Sequence, residues 1–202
     1  VEGKDFLVMS YNVRLFNVFK WVDRDDVPDN ILAFINEKNP DILCIQEYSN
    51  SANIDLKVYP HRYIFMEGNQ IKTGQAIFSK FPIIDQGHIQ FPNSSNNVVF
   101  ADVKRGKDII RVYNMHLQSI KISPDVTEID ENIDAINQGG KSQKLFTRIS
   151  KAFMQQQHQA EIFKEHKKDC PYPLIICGDM NNSAFSYVYR NIKGKLKDSF
   201  EE

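Results

Sequence analysis

No apolar run in this sequence approaches the ~18 residues of a membrane-spanning helix, and no N-terminal stretch has the order of a secretory signal. The chain opens on Val1 rather than Met, as a processed or partial chain would, so any targeting or membrane segment would lie upstream of it. Cysteine is scarce: three residues, an odd number, exclude a disulfide framework. Cys44 and Cys177 sit inside apolar runs and read as small buried hydrophobes. No Cys-x-x-Cys occurs and the five histidines are scattered, so zinc-type spacing is absent. An excess of either charge is also missing. With 25 Lys and Arg against 26 Asp and Glu, the net charge of -1 argues against binding polyanions by bulk attraction. Repeats, low-complexity tracts and linker-like boundaries are lacking too, so the 202 residues read as a single domain, 1–202, with a true core.

What is present reads as strands and helices. Phe6 to Val13 is apolar on both alternating faces, as a strand covered on both sides must be, with Ser10 and Asn12 its only polar breaks. A helix is predicted from about Val27 to Lys38, with Asp26 as N-cap, Pro28 in the first turn, and Val27, Ile31, Phe34 and Ile35 facing inward. Ile42 to Tyr48 is a second buried strand, broken near its end by Glu47. Two strands joined by a helix make a right-handed crossover whose strand ends share one edge, so Asn12 and Glu47 should come out together.

Further strands are predicted at about His61 to Met66, Gln75 to Ser79, Asn97 to Val103 and Ile109 to Leu117. Turn signals separate them at Gly68-Asn69, Phe81-Pro82, Pro92-Asn93 and Arg105-Gly106-Lys107, the last a hairpin. Short, closely spaced strands imply antiparallel pairing, hence a mixed α/β fold. Gln75, taken singly, has the plain reading of an exposed strand residue. Lys121 to Gly140 is acidic and weakly patterned, as a surface insertion would be. Lys141 to Lys168 reads as an amphipathic helix with Leu145, Ile149, Phe153, Ala160 and Phe163 inward. Its Lys141, Lys144, Arg148 and Lys151 form a basic stripe, read as a solvated face. A buried strand from Leu174 then runs into Gly178-Asp179-Met180-Asn181, and Ser183 is placed to cap a short helix to about Tyr189.

Burying an isolated carboxylate is costly, so an acid directly after an apolar run should sit at a strand's end and face a cleft. Asp179 and Asn181, two apart, share a face if the strand continues, though Gly, Asp and Asn also make a common turn. Asn12, Glu47, His116 with Asn114, and Asp179 with Asn181 thus mark strand exits. Singly, each has a plain structural reading, such as an ion-paired acid for Glu47 or a satisfied core histidine for His116. Jointly, two carboxylates among neutral amides suit a hard divalent cation that keeps several waters. A histidine beside a metal-bound phosphate can donate a hydrogen bond or transfer a proton.

Five segments carry a resemblance: Ser10-Tyr-Asn-Val-Arg14, Pro40-Asp-Ile-Leu-Cys-Ile-Gln-Glu47, Gly74-Gln-Ala-Ile-Phe-Ser-Lys-Phe-Pro-Ile83, Asn114-Met-His-Leu117 and Gly178-Asp-Met-Asn181. In kind and order they resemble the endonuclease/exonuclease/phosphatase, or DNase I-like, superfamily, and look most like a bacterial branch of it. The resemblance implies a four-layered α/β sandwich, two mixed sheets face to face with helices outside, and hydrolysis of a phosphoester by in-line attack of water. It implies that Glu47 ligates Mg2+ or Mn2+, with Asn12 and Asp179 in the same metal site, and that Asp179 positions or activates the water. It further implies that Asn181 holds the scissile phosphate, that His116 hydrogen-bonds it, and that Asn114 belongs with them among the substrate-binding residues. The family pattern continues with an Asp and a Ser-Asp-His segment, and the chain ends at Glu202 before either, so the domain is expected to be C-terminally incomplete.

Within that class, neutral charge and the acidic insertion argue mildly against strong duplex binding. A lipid or small-molecule phosphoester therefore stands level with nucleic acid as substrate. A non-catalytic binding member of the same fold is the competing reading. No partner protein is evident and a monomer is expected; members of the branch it resembles often carry hydrophobic segments before the domain, so the resemblance allows a membrane anchor upstream of Val1.

Overall fold

The apolar runs become two sheets in the computed structural model, which describes residues 5–52, 54–68, 72–119 and 141–200, with the backbone alone at 141, 142, 144 and 145. The chain packs as two compact units, Val1–His116 with His166–Met180, and Leu117–Glu165 with Asn181–Glu202.

In the first unit β1 (Val8–Asn12), β2 (Ile42–Tyr48), β3 (His61–Glu67) and β4 (Thr73–Ser79) make a sheet in the order β1-β2-β4-β3. The second sheet takes β5 (Ile83–Gln90), β6 (Asn97–Arg105), β7 (Asp108–His116) and β8 (Leu174–Asp179) in chain order. β1 with β2 and β7 with β8 are the parallel pairs; the other neighbours are antiparallel. The period of two decides what each face touches. Leu43 and Ile45 of β2 pack with Ile31 and Ile35 of α1 (Val27–Lys38), the crossover helix on that sheet's outer face. Ile42 and Cys44, the alternate residues, pack instead with Val99, Ala101, Val112 and Ile175 of the other sheet. The expected α/β architecture of two mixed sheets, face to face with a helix outside, is what this unit holds.

α1 occupies the predicted span and stops at Asn39, a left-handed C-cap whose N–H donates to Ile35 O at 2.8 Å. Two details differ from expectation. The Asp26 carboxylate does not cap the helix but pairs with Arg24, at 2.8 Å from Nε to Oδ1. Phe34 is 42% exposed, with its ring edge-on to Tyr11 rather than in the core. β5 is an edge strand that the sequence reading missed, because it is mostly exposed and has no apolar alternation. A Cβ at its Gly87 would come within 2.7 Å of the tip of the Phe100 ring, so a larger residue there would have to displace that ring.

On the outer face of the second sheet, Arg111 and Asp102 stand directly opposite in the β6–β7 register and form a bidentate pair of 2.6 and 2.7 Å. The bonded carboxylate pushes the guanidinium pKa up, and the Arg111 guanidinium lies 4.5 Å from the Phe100 ring centre. His166 packs there too, its Nδ1 3.1 Å from Tyr113 Oη, with burial lowering its pKa and the nearby Arg111 charge adding to that. Asp102 is buried, so Asp102→Ala should leave a guanidinium charge without its carboxylate. We expect a loss of about 3 kcal/mol, the low end for breaking a buried pair, because Asp85 lies 3.8 Å from Arg111 and can take part of the charge. Urea unfolding of the variant measures it.

In the second unit the inward stripe of α2 (Lys141–Lys168) is Ala152, Gln156, Gln159, Ala160 and Phe163. Phe153 is 44% exposed, contrary to expectation, and Arg148 and Lys151 are solvated, as read. α3 (Tyr187–Lys193) is capped by Ser186, whose Oγ accepts from Tyr189 N at 3.0 Å; Ser183, the expected cap, lies before it. The expected insertion, Asn69 and the Lys141, Lys144 and Leu145 side chains lie outside the described residues. Among the described residues no helix is long and apolar enough to cross a membrane.

Candidate active site

Moving along the gap between the two sheets, the inward side chains change character. Ile42, Cys44, Ile77, Val99 and Val112 come first. A layer of buried amides follows, Gln46, Gln75, Asn97 and Asn114. Asn12, Glu47, His116 and Asp179 then stand at the strand ends. Each strand has simply run two residues further in the same direction, from Ser10 to Asn12, Asn114 to His116 and Cys177 to Asp179.

Glu47 breaks that rule. By alternation it would face α1 with Leu43 and Ile45, but the β2–β4 register slips between Gln46 and Tyr48, and Glu47 takes φ +52. Such a bulge re-aims a side chain at a strain of about 1 kcal/mol or more. Re-aimed, Glu47 Oε1 accepts from Asn12 Nδ2 at 2.9 Å. The same nitrogen donates to Asp179 Oδ2 at 3.0 Å. Two carboxylates from different sheets therefore meet on one amide, no farther apart than two hydrogen-bond lengths. Asn12 Oδ1 accepts the backbone N–H of Arg14 at 3.0 Å, which fixes the amide's orientation. His116 sits opposite Asp179 in the β7–β8 register, and its Nε2 is 3.8 Å from Glu47 Oε1, beyond hydrogen-bond length. Gly178 lets β8 approach: it has φ +141, and a Cβ there would meet Met115 O at 2.1 Å.

Beside Glu47 and His116 opens a cleft of about 190 Å3, also lined by Leu15, Thr73, Gly74, Gln75, Ser95, Asn96 and Asn97. Among the described residues its lining holds neither Lys nor Arg. Apart from Leu15, Glu47 and His116, the walls are hydroxyls, amides and one glycine.

Four of the residues expected at the site are thus brought together: Asn12, Glu47, His116 and Asp179. Asn114 corrects the expectation. It is fully buried, its Nδ2 donating to Ile45 O at 2.8 Å and Ala76 O at 3.0 Å while its Oδ1 accepts from Gln46 Nε2 at 2.5 Å. Its polar atoms are spent on the opposite sheet and leave none for a substrate. Gln75 is likewise buried rather than exposed, its Nε2 donating to Asn97 Oδ1 at 2.6 Å. The strand does not continue to Asn181, which has φ +47 and belongs to the second unit. There Asn181 Nδ2 donates to Leu117 O at 2.9 Å, and Gln156 Nε2 donates to Asn181 O at 3.0 Å. Gln156 also binds Gln118 O at 2.6 Å and accepts from Asn182 at 2.7 Å, so one helix amide ties the segments that follow β7 and β8. The sequence reading missed it; the stripe through Ala152, Ala160 and Phe163 passes over Gln156 and Gln159 and could have shown it.

Among the described residues no three His, Cys, Asp or Glu cluster as a ready metal cage. The oxygens left to face the opening are those of the Glu47 and Asp179 carboxylates, since Asn12 turns its nitrogen to them and its oxygen to Arg14 N; hard oxygen donors of that kind suit Mg2+ or Mn2+ better than zinc.

A family model described as "Endonuclease/Exonuclease/phosphatase family" matches residues 9–200, through both units. No curated protein matches by sequence. Among solved structures, sphingomyelinase C from Streptomyces griseocarneus is similar over 96% of this chain and 70% of its own, at 15% identity and TM-score 0.68. The human nocturnin catalytic domain with bound sulfate gives 95%, 70%, 15% and 0.62. D. rerio TDP2 complexed with a single-strand DNA product gives 95%, 66%, 17% and 0.63. The chain spans 63% of a humanized D. rerio TDP2 and 48% of a C. elegans TDP2. At such identities the likeness shows the fold, the DNase I-like one expected above.

Proposed function

The chain belongs to the endonuclease/exonuclease/phosphatase family, and from that premise we propose that it hydrolyses phosphoester bonds with the help of Mg2+ or Mn2+. One observation carries the reading: the Glu47 and Asp179 carboxylates converge on Asn12 Nδ2 at 2.9 and 3.0 Å. Converging carboxylates repel each other, and a single amide offsets little of that. A cation between them would.

In this reading Glu47 and Asp179 hold the ion, and Asn12 is a positioning residue that aims both. Asn12 would do so through its N–H groups rather than its oxygen, which Arg14 N occupies. Bound there, the ion would neutralise charge on the phosphoryl oxygens and acidify a water. Asp179 would orient the attacking water and accept its proton. His116, at the rim and 3.8 Å from Glu47, would donate Nε2–H to a phosphoryl oxygen as charge develops there. Asn181 keeps the phosphate contact implied by the family pattern, with Asn181→Ala as its test.

Among the described residues no Lys or Arg lines the cleft beside Glu47 and His116, which supports a substrate with a single phosphoester rather than a dense polyanion. Sphingomyelinase C and a TDP2 bound to DNA share the fold, so a lipid or other small phosphoester and a nucleic acid are both within its reach. Charge favours the former.

Turnover of bis(4-nitrophenyl) phosphate should vanish in EDTA and return with Mg2+ or Mn2+ in excess. Unchanged turnover in EDTA would remove the metal from the reading. No turnover under any condition would favour a non-catalytic member of the fold.

A further inference from the structure

The connection between β1 and α1 displays large apolar side chains that a connection has no need to display. Phe19, Trp21 and Val22 are 53%, 44% and 50% exposed, while Leu15 and Phe16 of the same segment are buried. Contiguous exposed apolar groups of this size mark interaction sites.

The segment is held rather than slack. Asn17 is its hub: Oδ1 accepts from Val22 N at 3.0 Å, and Nδ2 donates to Val22 O at 2.8 Å and Arg24 O at 3.2 Å. Arg14, Leu15, Phe16, Asn17 and Lys20 all have φ between +45 and +63, a region that side chains other than glycine disfavour. The sequence therefore keeps this shape against local preference, as happens where shape serves a function. At the tip, Phe19 and Trp21 meet edge-on at 5.0 Å, and the Arg14 guanidinium lies 4.7 Å from the Trp21 ring centre.

Charge identifies the partner. The segment carries Arg14, Lys20 and Arg24 against Asp23, Asp25 and Asp26, which cancel. Lys20 pairs with Asp25 at 3.0 Å, and Arg24 pairs with Asp26. A tip that binds nucleic acid or an anionic membrane would carry surplus cations. An apolar, aromatic tip with balanced charge matches a surface that is itself neutral overall and apolar beneath, where Trp and Phe settle at the headgroup boundary.

We propose that Phe19, Trp21 and Val22 form a docking tip for a zwitterionic phospholipid surface. Leu15 of the same segment lines the cleft that holds Glu47 and His116, so docking would bring that cleft to the lipid boundary. The binding does not depend on the hydrolase reading and is tested without turnover.

Trp21 is the chain's only tryptophan, so its emission reports the tip directly. With phosphatidylcholine vesicles, the emission of the full chain should move to shorter wavelength and gain protection from acrylamide. Phe19→Ser and Val22→Ser should each weaken vesicle binding about tenfold, as expected for losing one half-exposed apolar contact. Both side chains are exposed, and circular dichroism confirms that the variants fold. No spectral change with phosphatidylcholine overturns the proposal. So does a change seen only with phosphatidylserine vesicles, only with an oligodeoxynucleotide, or only with rising protein concentration, which would assign the tip to an anionic surface, a nucleobase or a second copy.

Discussion

Asp179→Asn should lower turnover of a phosphodiester by about 10^3-fold, the scale of losing a positioned proton acceptor and a fixed charge together, while the protein stays folded. The substitution is nearly isosteric and sits at a strand end. The backbone register of Asp179 with His116 is unaffected by it. What changes is charge and basicity: the amide cannot accept a proton from water, and it offers a cation a dipole instead of an anion. Asn12 Nδ2 still finds an oxygen at that position, so the local hydrogen bond survives and stability should move by less than about 1 kcal/mol. Glu47→Gln makes the complementary case, because Glu47 Oε1 accepts from the same Asn12 nitrogen. If the two carboxylates act through one ion, the double variant should be little worse than the worse single one, since residues acting as a unit are not additive. Multiplicative losses would mean two independent roles. An Asp179→Asn protein with more than a tenth of wild-type turnover would sink the assignment.

How far the sequence reveals this site depends on which physical rule governs each residue. β1, α1 and β2 were legible because continuous apolar runs and a 3.6-residue stripe leave few alternatives, and the crossover rule then put Asn12 and Glu47 on one edge. The detail of Glu47 was not legible. Its meeting with Asn12 needs the register slip and a positive φ, and no composition signal marks either. β5 escaped because an exposed edge strand has no core-facing alternation to detect. Gln46, Gln75 and Asn114 look from sequence like polar residues on a strand face, which normally means solvent. Here each faces another amide across the sandwich, and a partner far along the chain cannot be inferred from local pattern. At Asn181 the turn alternative holds: the strand ends at Asp179, so the two-residue rule does not reach it.

Asn114→Ala should destabilise the fold by about 4 kcal/mol, from two carbonyls and one amide each left short of a buried partner at roughly 1–3 kcal/mol apiece. Asn114 is on β7, and its Nδ2 reaches Ile45 O on β2 and Ala76 O on β4, residues that are themselves register partners. One side chain thus joins three strands of two sheets directly beneath the site. Gln46, whose Nε2 gives Asn114 Oδ1 a 2.5 Å bond, keeps a 3.1 Å contact to Ser10 Oγ but loses its stronger partner. The loss would take a large share of the 5–15 kcal/mol that holds a typical domain, and the urea midpoint should fall accordingly. Gln46→Leu combined with Asn114→Leu should cost less than the two single changes summed, since removing both ends of a buried bond orphans fewer groups. The same measurement separates a structural clamp from the substrate contact that the family pattern suggests. A clamp lowers the unfolding midpoint of the free protein and leaves KM near its wild-type value where the variant remains folded. A substrate contact would leave the midpoint in place and raise KM, and that outcome would return Asn114 to the site.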